Sequence, residues 1–138
     1  MIHAFSELNW FAVLTASIAH FVLGGVWFVA LFGKAYAAAL GIADRPPQKP
    51  GLMLMAGPFV CSAITIATTA CLLRALRIDG YAEALTLGAI VAIGYLGPMT
   101  VTIAINPLFP RPFRYALINV PMFLIGSLMA SAILVAMR

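Results

Sequence analysis

One histidine, His20, lies deep inside an apolar stretch of this chain, and no Asp, Glu, Lys or Arg lies as deep in any other stretch. Hydrocarbon solvates an ionisable group poorly, so such a residue must face a partner or a polar interior. A neutral imidazole there can accept a proton, ligate a metal or hydrogen-bond a hydroxyl. Three readings follow. His20 is a packed residue bonded to a Thr, Ser or Tyr of a neighbouring helix, or a group that handles a proton or ligand, or the axial ligand of a pigment or haem. The sequence favours the first. Hydroxyls are at hand: Thr65 and Thr68 share a helical face with Cys61, with Ser62 and Thr69 beside them. Such a row can line a polar path, although Ser and Thr more often bond the carbonyl of the preceding turn. Tyr95, Asn106 and Asn119 complete the cluster that the fold would have to assemble around His20.

Other chemistry is poorly supported. With no carboxylate deep in a span, His20 has no orienting acid and a serine or threonine nucleophile has no activating pair. No cysteine and histidine share metal-ligand spacing, and Gly24-Gly25 falls in mid-span, not in a phosphate loop. The chain therefore reads as a non-enzyme with no metal and no resident cofactor, pigment or haem at His20 being the outside reading. Ala16-x-x-x-His20 is similar to the pattern of bacterial light-harvesting polypeptides, in which histidine ligates a bacteriochlorophyll magnesium and alanine makes room for the ring. Those polypeptides have one span each. Cys61 and Cys71 lie about 15 Å apart along one helix, too far to form a disulfide with each other. They read as packing residues.

The elements that must position these groups follow from composition. Hydrophobic residues make up 64% of the chain and charged residues 9%. A soluble domain has about 45–50% and about 25%, so this chain lacks the polar surface to face water. Charged residues are gathered between or at the edges of four apolar runs, residues 8–32, 52–73, 82–105 and 115–137. Each meets the roughly 20 residues a bilayer core requires. The expected fold is all-α, a four-helix transmembrane bundle forming a single integral membrane domain over residues 1–138, with no room for a soluble domain. The first run lacks a basic leader and is too long for a signal peptide.

Local signals add detail. Gly33 is a natural stop for the first helix, with a short interfacial helix over residues 35–40, and the proline-rich stretch from Asp44 to Gly51 cannot continue it. The short connection between runs two and three predicts antiparallel neighbours. Gly94 and Gly97-Pro98 should kink the third helix or break one of its hydrogen bonds. Small residues recur every four positions in Ala12, Ala16, His20 and Gly24, in Ala84, Gly88 and Ala92, and in Gly126 and Ala130. Such rows let helices approach closely, within the bundle or between copies of it.

The net charge of +4 is spread over every connection and makes no nucleic-acid patch. Lys and Arg concentrate in cytoplasmic loops. Lys34, Arg45 and Lys49 of the first loop and Arg111 and Arg114 of the third are five of the eight basic residues. This bias puts both termini outside.

Asn9-Trp10, Phe21-Val22-Leu23-Gly24-Gly25-Val26-Trp27-Phe28 and Leu31-Phe32-Gly33-Lys34 resemble a family of small bacterial membrane proteins catalogued as domain of unknown function 1761. Tyr115-Ala116-Leu117-Ile118-Asn119 is similar to its later stretch. The resemblance spans essentially the whole chain and implies a four-helix inner-membrane protein, but no activity. Phe28 stands where the family usually has tyrosine, and His20 is outside the pattern. The expected role is that of a homo-oligomer or an accessory subunit of a membrane assembly, in contact with lipid and with itself or other membrane subunits. The alternative is a small transporter or channel for a neutral or weakly polar solute, and the outside reading is pigment or haem binding.

Overall fold

The computed structural model describes residues 5–46 and 51–138, and every regular element among them is helical. His3 and Pro47-Gln48-Lys49-Pro50, with the basic Lys49 and most of the proline-rich stretch, lie outside the described residues. Four helices are long and apolar enough to cross a bilayer: Trp10–Leu31, Leu52–Ala75, Tyr81–Ala104 and Pro112–Ala136. These are the first to fourth spans of an all-α, multi-pass membrane protein.

The first span opens with α1 (Trp10–Gly25), capped by Asn9, whose Oδ1 accepts from the N–H groups of Phe11 and Ala12 at 3.1 and 3.2 Å. Hydrocarbon gives orphan N–H groups no partner, so a cap at the boundary satisfies donors that the helix cannot. The span then widens into a π turn, Val26–Leu31, where the Phe32 N–H donates to the Trp27 carbonyl at 2.8 Å. Gly33 is a corner, not a stop: it opens α2 (Gly33–Ala39), and a Cβ there would lie 3.2 Å from the Phe28 carbonyl oxygen. α2 packs on the fourth span with Ala39 fully buried. It ends in a Schellman turn, the N–H groups of Gly41 and Ile42 donating to the carbonyls of Ala38 and Ala37. Gly41 is required twice over, by a φ of +70° and by Pro110, whose Cγ would lie 2.9 Å from a Cβ.

The second span, α3 (Leu52–Ala75), closes with the same motif, but Arg77 occupies the left-handed position at φ 55°. A side chain costs about 1–2 kcal/mol in that conformation. The third span is α4 (Tyr81–Ile90), a second π turn (Val91–Leu96) and α5 (Gly97–Ala104). Pro98 has no N–H to return to the preceding turn. The π turn absorbs the loss, because the Gly97 N–H reaches the Ala92 carbonyl, and a Cβ on Gly97 would stand 3.3 Å from that oxygen. The break expected at Gly97-Pro98 is thus a widened turn. It also preserves a packing face: Ala84, Gly88 and Ala92 are followed one position late by Gly97, Thr100 and Ala104, all buried.

The fourth span, α6 (Pro112–Ala136), packs against α1, α4 and α5, while α3 packs mainly on α1. Around the bundle the order is second, first, fourth, third. The second and third spans, expected to be neighbours from their short connection, touch only weakly. The reason lies in side-chain size. The small face of the third span finds its match in Gly126 and Ala130 of the fourth, while the second span packs Ala67 and Ala70 into the core on the first.

The core gathers at the end that holds the described N-terminal residues, the second loop and Arg138, around Ala12, Ala16, Ile66, Ala70, Ala130 and Leu134. Every buried residue of α3 lies in its second half, whereas Leu52 and Met53 are 83% and 89% exposed. The first half of the second span is therefore little covered by the bundle, although Phe59 still meets Phe21 of the first span edge to face at 5.6 Å. Ion pairs Glu7–Arg74 and Asp79–Arg138 tie the core end, each an exposed pair of about 0–1 kcal/mol. Glu83, the one carboxylate within the limits of a span, is exposed in the first turn of α4. At the far end, tilted and edge-on ring contacts run from Phe28 to Tyr36, Tyr115 and Phe109 at 4.9, 5.7 and 4.9 Å between centroids. Burial, and then the neighbouring Tyr115 hydroxyl, push the Tyr36 hydroxyl well above the usual phenol range.

Candidate functional site

Between the second span and the rest of the bundle lies a crevice of ≈ 220 Å³, reaching His20 on α1. Thr65 and Thr69 of α3, Gly126 and Ser127 of α6 and Leu96 of the second π turn form its sides. His20, Thr65, Gly126 and Ser127 sit near the middle of their spans, so the crevice lies near mid-depth in the membrane. Among the described residues no Asp, Glu, Lys or Arg lines it.

His20 fits there because Gly126 has no side chain. A Cβ on Gly126 would stand 2.6 Å from both Cδ2 and Nε2 of the imidazole. The ring therefore occupies space that any other residue at position 126 would fill. Among the described residues the imidazole has no hydrogen-bond partner. The bond to a neighbouring hydroxyl, the favoured reading of the sequence, is not formed. The threonines explain why: Thr65, Thr68 and Thr69 donate to the carbonyls of Cys61, Ile64 and Thr65 at 3.0, 2.9 and 2.9 Å. In an apolar medium the carbonyl one turn back is the nearest acceptor and always in reach. The oxygens of Thr65 and Thr69 keep their lone pairs for an acceptor role. The hydroxyls of Ser62 and Ser127 have no partner among the described residues.

Of the five residues expected to form a polar network, the structure brings His20 and Thr65 together and separates the other three. Thr68 faces a different, apolar groove on the outside of the first and second spans, with Trp10 and Phe59. Tyr95 is 71% exposed on the outer side of its π turn. Asn119 is buried, but its Nδ2 donates to the Tyr115 carbonyl at 2.7 Å and it does not line the crevice. Asn106 is spent on its own turn, donating to the Ile103 carbonyl and accepting from the Leu108 N–H.

The packing rows fare differently. Ala12, Ala16, Ala84, Gly88, Ala92, Gly126 and Ala130 are all buried, and Gly24 is half-buried, with the Met122 methyl 3.2 Å from where its Cβ would be. These rows are used inside one chain. Ser127, Phe123 and Leu96 were not singled out as site residues by the sequence. Ser127 and Phe123 share a row with a spacing of four beside Gly126, and a serine on such a row in an otherwise apolar span is the signal that could have found them.

The crevice thus offers an uncharged imidazole-bearing pocket with hydroxyl donors and acceptors. It can hold a neutral group by hydrogen bonds. Among the described residues no three His, Cys, Asp or Glu come together as a metal site. No curated protein and no solved structure matches the chain. A family model described as protein of unknown function, DUF1761, matches residues 11–135, nearly the full length. By that match the chain belongs to the DUF1761 family.

Proposed function

We propose that this protein binds a small uncharged polar molecule in the mid-membrane crevice, as a carrier or as the binding subunit of a larger assembly. The observation that carries the reading is His20, half-buried at the crevice and held against Gly126, with no partner for its ring nitrogens among the described residues. A ligand or water in the crevice would supply the hydrogen bond that the ring does not make within the protein. Catalysis has no support in this arrangement, since no carboxylate lines the crevice to orient the imidazole. Tetrapyrrole ligation is disfavoured, because the Nε2 edge of the ring is turned into Gly126. A colourless preparation would end that idea.

Mass spectrometry of small molecules that accompany the protein through mild-detergent purification tests the proposal. The wild type should retain a compound that Thr65→Phe, which fills the crevice from its open wall, loses. His20→Ala should lose it too, with helical circular dichroism unchanged in both. Identical content in all three preparations would defeat the proposal.

Assembly into a homo-oligomer or with other subunits has one observation in its favour: the bare first half of the second span, from Leu52 to Met55. The small-residue rows are buried within one chain and are not available for such a contact. A species that stays strictly monomeric in native electrophoresis counts against it. The membrane we assign is the bacterial inner membrane, with both termini outside. The basic loops support this, since Lys34, Arg45, Lys49, Arg111 and Arg114 outnumber Arg74, Arg77 and Arg138 at the other end. A reporter active only outside the cytoplasm, fused after Arg138, should be active.

A further inference from the structure

We infer that the ligand of the His20 crevice is a lipid-soluble compound whose polar group is a hydroxyl on an apolar ring, reaching the site from the bilayer between the second and third spans. The inference rests on the binding proposal above and deepens it.

The direction of approach comes from the packing. At the core end the crevice is shut, because Ala12, Ala16, Ala70 and Ala130 pack tightly there. On two sides it is walled by the first and fourth spans, which pack closely on each other. An open side is the gap between the second and third spans, which touch only weakly, and among the described residues Leu96 alone of the third span reaches the crevice. That gap lies at mid-depth. Its mouth therefore faces hydrocarbon, and a molecule must be soluble in hydrocarbon to arrive there.

The chemistry of the polar group comes from the lining. With no charged side chain present, an ion would be left uncompensated at a depth where that is most costly. The Thr65 and Thr69 protons are committed to their own helix, so their oxygens can only accept. With its Nε2 edge against Gly126, the imidazole offers its other nitrogen as a donor or an acceptor, and the hydroxyls of Ser62 and Ser127 can do both. A hydroxyl, which donates one hydrogen bond and accepts others, can engage both kinds of partner at once. An ether or ketone offers only acceptors. The ring preference comes from the remaining walls, Phe123, Ile66 and Leu96, an aromatic face and two branched side chains lining about 220 Å³. A flat ring buries more of its surface against them than a thin alkyl chain does.

The test uses the protein in lipid nanodiscs with His3→Gln, so that His20 is the sole histidine, labelled with nitrogen-15. The probe is para-hexylphenol, with hexylbenzene and glycerol as controls. The expected result is a saturable shift of one imidazole nitrogen signal with para-hexylphenol and none with hexylbenzene or glycerol. Under Cys71→Ala, where Cys61 at the crevice is the only thiol, the same phenol should slow alkylation of Cys61 by N-ethylmaleimide several-fold. Thr65→Phe should abolish both effects. Glycerol moving the signal while the phenol does not would overturn lipid-side access and leave the binding proposal standing. Equal shifts with hexylbenzene would overturn the role of the hydroxyl. Silence with all three probes, together with identical retained compounds in the variants above, would remove the inference and the binding proposal alike.

Discussion

Replacing Gly88 with alanine should destabilise the bundle, while Gly94→Ala in the same span should cost nothing. A Cβ on Gly88 would stand 2.7 Å from the Ser131 hydroxyl and 2.9 Å from the Ser127 carbonyl oxygen. The second of these is backbone, and it cannot swing aside. The fourth span must move off the third, and overpacking of this kind costs about 1–3 kcal/mol. Alanine returns about 1 kcal/mol in helix propensity, so the net loss should come to up to about 2 kcal/mol. Around Gly94 a Cβ meets nothing within 4 Å. Unfolding in mixed-micelle titrations, followed by circular dichroism, separates the two variants. Equal midpoints for both would mean that the third and fourth spans do not meet at Gly88.

The same contact explains Ser131. Its hydroxyl oxygen is fully buried and, among the described residues, is the only buried side-chain nitrogen or oxygen without a hydrogen-bond partner. It faces the position where a Gly88 side chain would begin. The Cα hydrogen of Gly88 along that direction points at the oxygen, a weak Cα–H···O contact of the kind that recurs at close helix crossings. Loss of Gly88 therefore removes both the space and the small polar compensation for Ser131.

The span count and approximate limits were legible in the sequence because charges mark the ends of apolar runs. Lys34, Arg74 and Arg111 each flank a helix that the structure shows. Which face of each helix looks inward was far less legible. A helix between lipid and a packed interior is apolar on both sides, so hydrophobic periodicity does not orient it. Thr65 and Thr68 differ by about 60° around the axis, and that angle separates a place in the crevice from a place in the outer groove. The π turns add a second obstacle. Val91–Leu96 shifts every later residue by one position relative to a plain helix, which carries Gly97 onto the buried face and leaves Tyr95 outside. The step of five from Ala92 to Gly97, after two steps of four, was the one trace of it in the sequence. His20 itself was legible by residue type and depth. Its cradle was not, because Gly126 read as one more member of a packing row.

The cradle gives the second large effect, and it is best read as a cycle of variants. Gly126→Ala alone should destabilise the protein by about 1–3 kcal/mol, since its Cβ would be driven to 2.6 Å from two ring atoms of His20. His20→Ala alone should cost under about 1 kcal/mol, far less than the 2–5 kcal/mol of a large-to-small change in a sealed core. The ring borders an existing crevice and gives up no protein hydrogen bond. In the double variant the alanine at 126 has only open space before it, so its cost should vanish. The coupling between the two positions should come to at least about 1 kcal/mol, well beyond the additivity expected of independent sites. Purely additive losses would mean that Gly126 serves helix approach alone and that His20 sits elsewhere. A large loss for His20→Ala by itself would make the histidine a structural residue, as its sequence context first favoured. Strong coupling with a cheap histidine deletion is the pattern of a side chain that the bundle makes room for without depending on it. That is the pattern to expect of a histidine held for a ligand.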